Sequence, residues 1–116
     1  MATDIVYVGI DIAKVRNDVR VELPDGRVQR FKVANRKEDY DRLAKYLTSL
    51  ENDCQIGLEA SGNYHRPLAY YLQEKGFEVY FISSLALART REAMHNSWDK
   101  NDPKDAQVMV HLLKTG

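Results

Sequence analysis

Residues 4–13, DIVYVGIDIA, are apolar and β-branched almost throughout, the pattern of a strand buried on both faces in the middle of a sheet. The segments RNDVRVEL (16–23) and RVQRFKVA (27–34) flank Pro24-Asp25-Gly26, a turn tripeptide that predicts a hairpin. Asn35 with Glu38 three residues later reads as a capping box, and Tyr40, Leu43, Ala44, Leu47 and Leu50 then recur at helical spacing. CQIGLEA (54–60) is a fourth strand that stops at Glu59 before the turn Ser61-Gly62-Asn63. A helix over about 64–75 turns Tyr64, Leu68, Tyr71 and Leu72 inward and stops at Gly76. FEVYFIS is a fifth strand, and a helical segment over about 84–95 leads through HNSWDKND to a last helix from about 103.

The order is therefore β-β-β-α-β-α-β-α-α. Strand-helix-strand units force parallel neighbours through right-handed crossovers, so the hairpin meander and the alternating half together predict a mixed five-stranded sheet with helices on its faces. A chain of 116 residues fits one such α/β domain. No apolar run is long enough to span a membrane and the N-terminus lacks a signal-peptide pattern, so the expected compartment is the cytoplasm, with no membrane partner. The lone cysteine, Cys54, lies in the fourth strand and reads as a small buried hydrophobe, which argues against redox or zinc chemistry. Net charge is zero, without the basic excess of a self-sufficient nucleic-acid binder. Locally the balance differs: between positions 14 and 37, Lys14, Arg16, Arg20, Arg27, Arg30, Lys32, Arg36 and Lys37 face only Asp18, Glu22 and Asp25. Such a stripe could follow a phosphate backbone or form the solvated outer face of a hairpin.

Four acids stand out. Asp102 and Asp105 lie three apart on the same helical face as the apolar Ala106, Met109 and Leu113, which stacks two like charges roughly 5–6 Å apart at Cβ and calls for a neutralising cation. Asp11 and Glu59 each end a strand-like run, where functional groups collect on α/β sheets. If the first and fourth strands are neighbours and the last helix crosses their ends, the four carboxylates form an oxygen-ligand ring suited to Mg²⁺ or Mn²⁺. A pair of such ions serves in-line phosphoryl transfer. Each acid also has a structural role open to it. Asp102-Pro103-Lys104-Asp105 is a good helix start, with Asp as N-cap, Pro at the first position and an acid in the first turn; Glu59 suits a turn, and Asp11 could pair with Lys14. His65, His95 and His111 show no metal-ligand spacing. Tyr64, Tyr70 and Tyr71 could stack on bases but fit a helix packed on a sheet better. Arg89, Arg91, Lys100 and Lys104, near the acids in sequence, are candidates for phosphate contacts or solvated surface.

The residues carry a resemblance. Gly9-Ile10-Asp11-Ile12-Ala13-Lys14, Leu58-Glu59-Ala60-Ser61-Gly62-Asn63-Tyr64 and Asn101-Asp102-Pro103-Lys104-Asp105-Ala106 resemble the N-terminal domain of the DEDD transposases of bacterial insertion sequences, related to Piv-type DNA invertases. The resemblance covers residues 1–116 and implies a RuvC-like domain of the ribonuclease H fold. It implies that Asp11, Glu59, Asp102 and Asp105 are the catalytic, metal-binding acids. It further implies recombination of DNA with a structured guide RNA, by a homo-oligomer, in the bacterial cytoplasm. The family's second, C-terminal domain supplies a serine implicated as nucleophile; that domain is absent before Gly116, so the isolated domain is expected to be inactive, and Ser61, Ser83, Ser84 and Ser97 are not substitutes. Pro103 between the last two acids departs from the usual pattern and puts Asp102 in doubt as a ligand.

Two other readings remain. Gly9-Ile10-Asp11 also begins sugar kinases and actin-like ATPases, but Ala13-Lys14-Val15-Arg16 is a poor phosphate cradle beside their glycine- or threonine-rich turn. A non-catalytic module that binds nucleic acid or pairs with its own copy through the basic hairpin is the third reading.

Overall fold

The two apolar strands that bear Asp11 and Glu59 are hydrogen-bonded neighbours at the centre of the sheet. The computed structural model describes residues 4–59, 64–94 and 105–115. Its strands are β1 (Ile5–Asp11), β2 (Arg16–Glu22), β3 (Val28–Ala34), β4 (Asp53–Glu59) and β5 (Glu78–Ile82), and its helices α1 (Lys37–Ser49), α2 (Arg66–Glu74), α3 (Ser84–Met94) and α4 (Asp105–Thr115). They build a five-stranded sheet in the order β3-β2-β1-β4-β5. β1, β2 and β3 pair antiparallel, whereas β1 with β4 and β4 with β5 pair parallel, as the helical crossovers require.

Strand alternation sorts the residues onto two faces. Val6, Val8 and Ile10 of β1, Val19 and Val21 of β2, and Cys54, Ile56 and Leu58 of β4 share one face and join Leu43 and Leu47 of α1 with Leu68 and Leu72 of α2 in the main core. The other face of β1 and β4 carries Tyr7, Gly9 and Asp11 beside Gln55, Gly57 and Glu59. It is covered by α4, which brings a smaller apolar cluster of Val108 and Met109 against Leu87 of α3. The first strand is thus covered on both faces, as its composition led one to expect, and on the side toward α4 it is small at Gly9 and acidic at Asp11.

Both glycines on that face are needed for the helix to approach. A Cβ on Gly9 would lie 2.1 Å from the Ala106 carbonyl oxygen, and one on Gly57 would lie 2.9 Å from Ile82 and 3.1 Å from Leu113. The hairpin turn forms where the tripeptide places it, with Gly26 in the left-handed region at φ 94°, its N–H donating to Leu23 O at 2.9 Å.

The start of α1 departs from the expected capping box. Arg36 occupies the N-cap without a side-chain capping bond, and Asp39, not Glu38, reaches back to accept from the Ala34 N–H at 2.8 Å. The Asp39 carboxyl is held below its ordinary value, first by that backbone bond and then by Arg36 and Arg42 against the opposing effect of burial. Asn35 is employed elsewhere. Its Nδ2 donates to the carbonyls of Ala13 and Lys14, each at 2.9 Å, and its Oδ1 accepts from the fully buried Asn17 at 2.7 Å. Asn17 in turn accepts from the Ala13 N–H at 3.0 Å and donates to Val33 O at 3.1 Å. The two asparagines therefore tie down the loop that follows Asp11, in which Val15 is left exposed.

Two smaller expectations are also corrected. α2 begins at Arg66, because Pro67 is preorganised for the first turn of a helix. Tyr64 precedes it and is exposed rather than inward, and the inward aromatic position falls to His65, packed edge-on against Phe81. β4 runs to Glu59, where the sequence places its stop. Cys54 is buried as expected, and burial, with Asp53 adding to it, pushes its thiol up to about 11. Among the described residues no helix is long and apolar enough to cross a membrane.

Candidate metal centre

The parallel register between β1 and β4 runs from Ile5 opposite Asp53 to Ile10 opposite Leu58. Asp11 and Glu59 are the next residue on each strand, so they lie side by side at the carboxyl ends of neighbouring parallel strands, whose axes are about 4.8 Å apart. Both sit on the face covered by α4. Ala106, the second residue of α4, has its carbonyl against Gly9, two residues before Asp11, so Asp105 begins the helix beside the same sheet end. Three of the four sequence-selected acids thus belong to elements that converge on one edge. Asp102 lies outside the described residues, as do Pro103, Lys100, Lys104, Ser61, Ser97 and His95. Among the described residues, no group of three or more histidine, cysteine, aspartate or glutamate side chains is gathered as a ready-made metal cage. The donor set itself, carboxylate oxygens without thiolate or imidazole, suits hard divalent cations.

Two further residues join this edge. Asp18 lies directly opposite Asp11 across the antiparallel β1–β2 pair. Like charges in that position are unfavourable, and Asp18 is engaged by Lys32, its partner residue on β3, at 2.8 Å. A row Glu59, Asp11, Asp18, Lys32 therefore runs across four strands. The second is Ser84, whose hydroxyl donates to Glu59 Oε2 at 2.6 Å. Sequence offered only the Ser83-Ser84 pair after a strand, a common helix start.

The basic stripe divides. Arg16, Arg20, Arg30 and Lys32 occupy the hairpin face shared with Asp11, since β2 and β3 pair Asp18 with Lys32 and Arg20 with Arg30. Arg27 stays at the turn with Asp25, and Arg36 and Lys37 begin α1 on the opposite layer. Lys14 and Arg16 flank the tied loop and are exposed, and Arg89 is exposed on α3, which also carries Arg91. His65 packs on the α2 side with Phe81, away from the acids, and His111 is exposed on α4. Neither stands with the carboxylates.

Residues 8–116 match the family model for transposases of the DEDD, IS110 type. A Streptomyces coelicolor mini-circle protein assigned as the transposase for IS117 is 30% identical over 115 residues, covering 95% of this chain. The chain spans 27% of that relative's length. In fold, Thermus thermophilus RuvC superposes with a TM-score of 0.59 at 14% identity, over 95% of this chain and 94% of that one. The architecture is RuvC-like, a ribonuclease H-type sheet with helices on both faces, as the resemblance implies.

Proposed function

The chain belongs to the DEDD transposase family of the IS110 type, and from that premise we propose that it is the metal-binding catalytic domain of a DNA recombinase. The observation that carries this reading is the adjacency of Asp11 and Glu59 at the ends of β1 and β4, on the face against which α4 begins with Asp105. Asp11, Glu59, Asp105 and Asp102 would hold Mg²⁺ or Mn²⁺. When bound, such ions supply charge neutralisation for the attacking and leaving oxygens of phosphoryl transfer. The chain's own contribution is positional. Rigid parallel strands fix two carboxylates, the Gly9 contact seats the helix that carries a third, and the Asn17–Asn35 ties hold the segment after Asp11 in one conformation.

Nucleic acid would approach over the hairpin face that holds Arg16, with Lys14, Arg89 and Arg91, and with Lys100 and Lys104 of the stretch outside the described residues, contacting phosphates. The proposed partners are DNA, a structured guide RNA and further copies of the protein, in the bacterial cytoplasm, together with a second domain bearing the nucleophilic serine. The reading is supported by the family match and by the side-by-side placement of Asp11 and Glu59 at adjacent strand ends beside the start of α4.

The test is isothermal titration with Mn²⁺ of the chain and of its Asp11→Asn, Glu59→Gln and Asp105→Asn variants, with circular dichroism to verify the fold. Binding should weaken at least tenfold in each variant, by loss of a ligand from a small oxygen shell. Equal affinity in all four proteins would refute the site. Binding of ATP in place of the metal alone would favour the kinase-like alternative, and nucleic-acid binding indifferent to a chelator and to these substitutions would favour a non-catalytic module.

A further inference from the structure

Two serines follow β5, and their hydroxyls do different things. Ser83 caps α3: its Oγ accepts from the Ala86 N–H at 3.0 Å and its carbonyl accepts from the Leu87 N–H at 3.0 Å. The helix start is thereby satisfied without Ser84. Ser84 instead turns its hydroxyl to Glu59, donating to Oε2 at 2.6 Å, a short bond of the kind that a charged carboxylate makes with an O–H donor. The contact joins neighbouring elements, because Glu59 pairs with Ile82 on β5 and Ser84 follows two residues later. The same helix then buries Leu87 against Val108 and Met109 of α4. α3 is thus braced at one end on the carboxylate of β4 and along its length on the helix that begins with Asp105.

We propose that Ser84 is a positioning residue for the metal centre, fixing the Glu59 carboxylate through Oε2 so that the group is preoriented for a divalent cation. A glutamate has three rotatable side-chain bonds, and a carboxylate left to sample them meets a cation in many geometries. One hydrogen bond from a residue on a capped helix selects among them before the metal arrives. Partners that orient a ligand in this way ordinarily change metal affinity by about 10–100-fold. The inference rests on the reading of Glu59 as a metal ligand, and it gives Ser84 no part as a nucleophile.

The experiment is titration of the chain with Mn²⁺ alone, beside thermal melts, for the wild type and Ser84→Ala, Ser84→Thr, Ser83→Ala and Glu59→Gln. Ser84→Ala should weaken Mn²⁺ binding about tenfold with little change in melting temperature, and Ser84→Thr, which keeps the hydroxyl, should restore it. Ser83→Ala should do the reverse, lowering the melting temperature through loss of the cap while leaving affinity near the wild-type value. Unchanged affinity in Ser84→Ala, with binding abolished in Glu59→Gln, would overturn the positioning role and leave the metal site standing. So would a threonine variant as weak as the alanine one at equal melting temperature. Binding that survives Glu59→Gln would overturn both.

Discussion

The two faces of β1 and β4 are built from alternate residues of the same strands and have opposite characters. Toward α1 and α2 the strands present Val6, Val8, Ile10, Cys54, Ile56 and Leu58, all buried. Toward α4 they present Tyr7, Gly9, Asp11, Gln55, Gly57 and Glu59, where the apolar contact comes mostly from the helix itself. The first face is closed by volume and the second by the absence of it. Large side chains hold α1 and α2 on the sheet, whereas α4 lies close because two glycines remove the obstacle. That difference lets one sheet carry a stable core and an acidic edge only one residue apart along the chain.

The contrast can be broken from its stronger side. Leu58 is fully buried between the sheet and its helices, and Leu58→Ala should cost about 3 kcal/mol, from lost transfer energy and the cavity left behind. Urea denaturation should show this as a lower midpoint with the slope unchanged. A cost below about 1 kcal/mol would mean that this layer collapses readily and is not the main source of stability.

The weaker side should respond differently to an addition. Gly9→Ala sets a methyl where the Ala106 carbonyl now lies, at 2.1 Å. The strand cannot yield without disturbing two ladders, so α4 must move. We expect a loss of about 1–3 kcal/mol, typical of overpacking, with faster hydrogen exchange confined to α4 and unchanged protection in α1 and α2. Exchange accelerated equally in all the helices would show that the faces form one cooperative unit and that the contrast has no energetic meaning.

These two substitutions also mark what was legible in the sequence. The element order, the hairpin turn and the parallel crossovers follow from local periodicity and turn chemistry, which neighbours in space seldom override, and all appear. β1 is central and covered on both faces, as its composition implies, but the small and acidic character of its second side went unseen, because Tyr7, Gly9 and Asp11 alternate with Val8 and Ile10 too briefly for a period of two to stand out. The helix cap went to Asp39 instead of Glu38 because Asn35 is engaged by the Asn17 network, a contact between positions 18 residues apart that local pattern cannot contain. Asp11 and Glu59 were legible as strand-end acids, but Asp18 and Ser84 were not, since each acquires its meaning only from register across the sheet.

The smallest effect concerns how α4 is fastened where it lacks apolar depth. Lys114, in its last turn, bonds to Glu22 of β2, which also accepts from Arg20 at 2.8 Å, and the Lys114 ammonium stands 5.8 Å from the centre of the Tyr7 ring. Burial pushes the Glu22 carboxyl up, but the bonds and charges of Lys114 and Arg20 outweigh it, and the folded pKa lies below the ordinary 4.5. A carboxyl depressed on folding adds stability that is complete above about pH 4.5 and fades as the pH falls through the folded value. Protection of the α4 amides should therefore decline with acid over that window by less than about 1 kcal/mol, the scale of a partly exposed pair. Lys114→Ala should lower α4 protection at neutral pH and flatten its decline in acid, because part of the depression leaves with the lysine. α1 has no share in this pair, so its protection should not depend on residue 114. If Lys114→Ala changed exchange in α1 as much as in α4, the helix would be held by the global fold and not by its own contacts with β1 and β2.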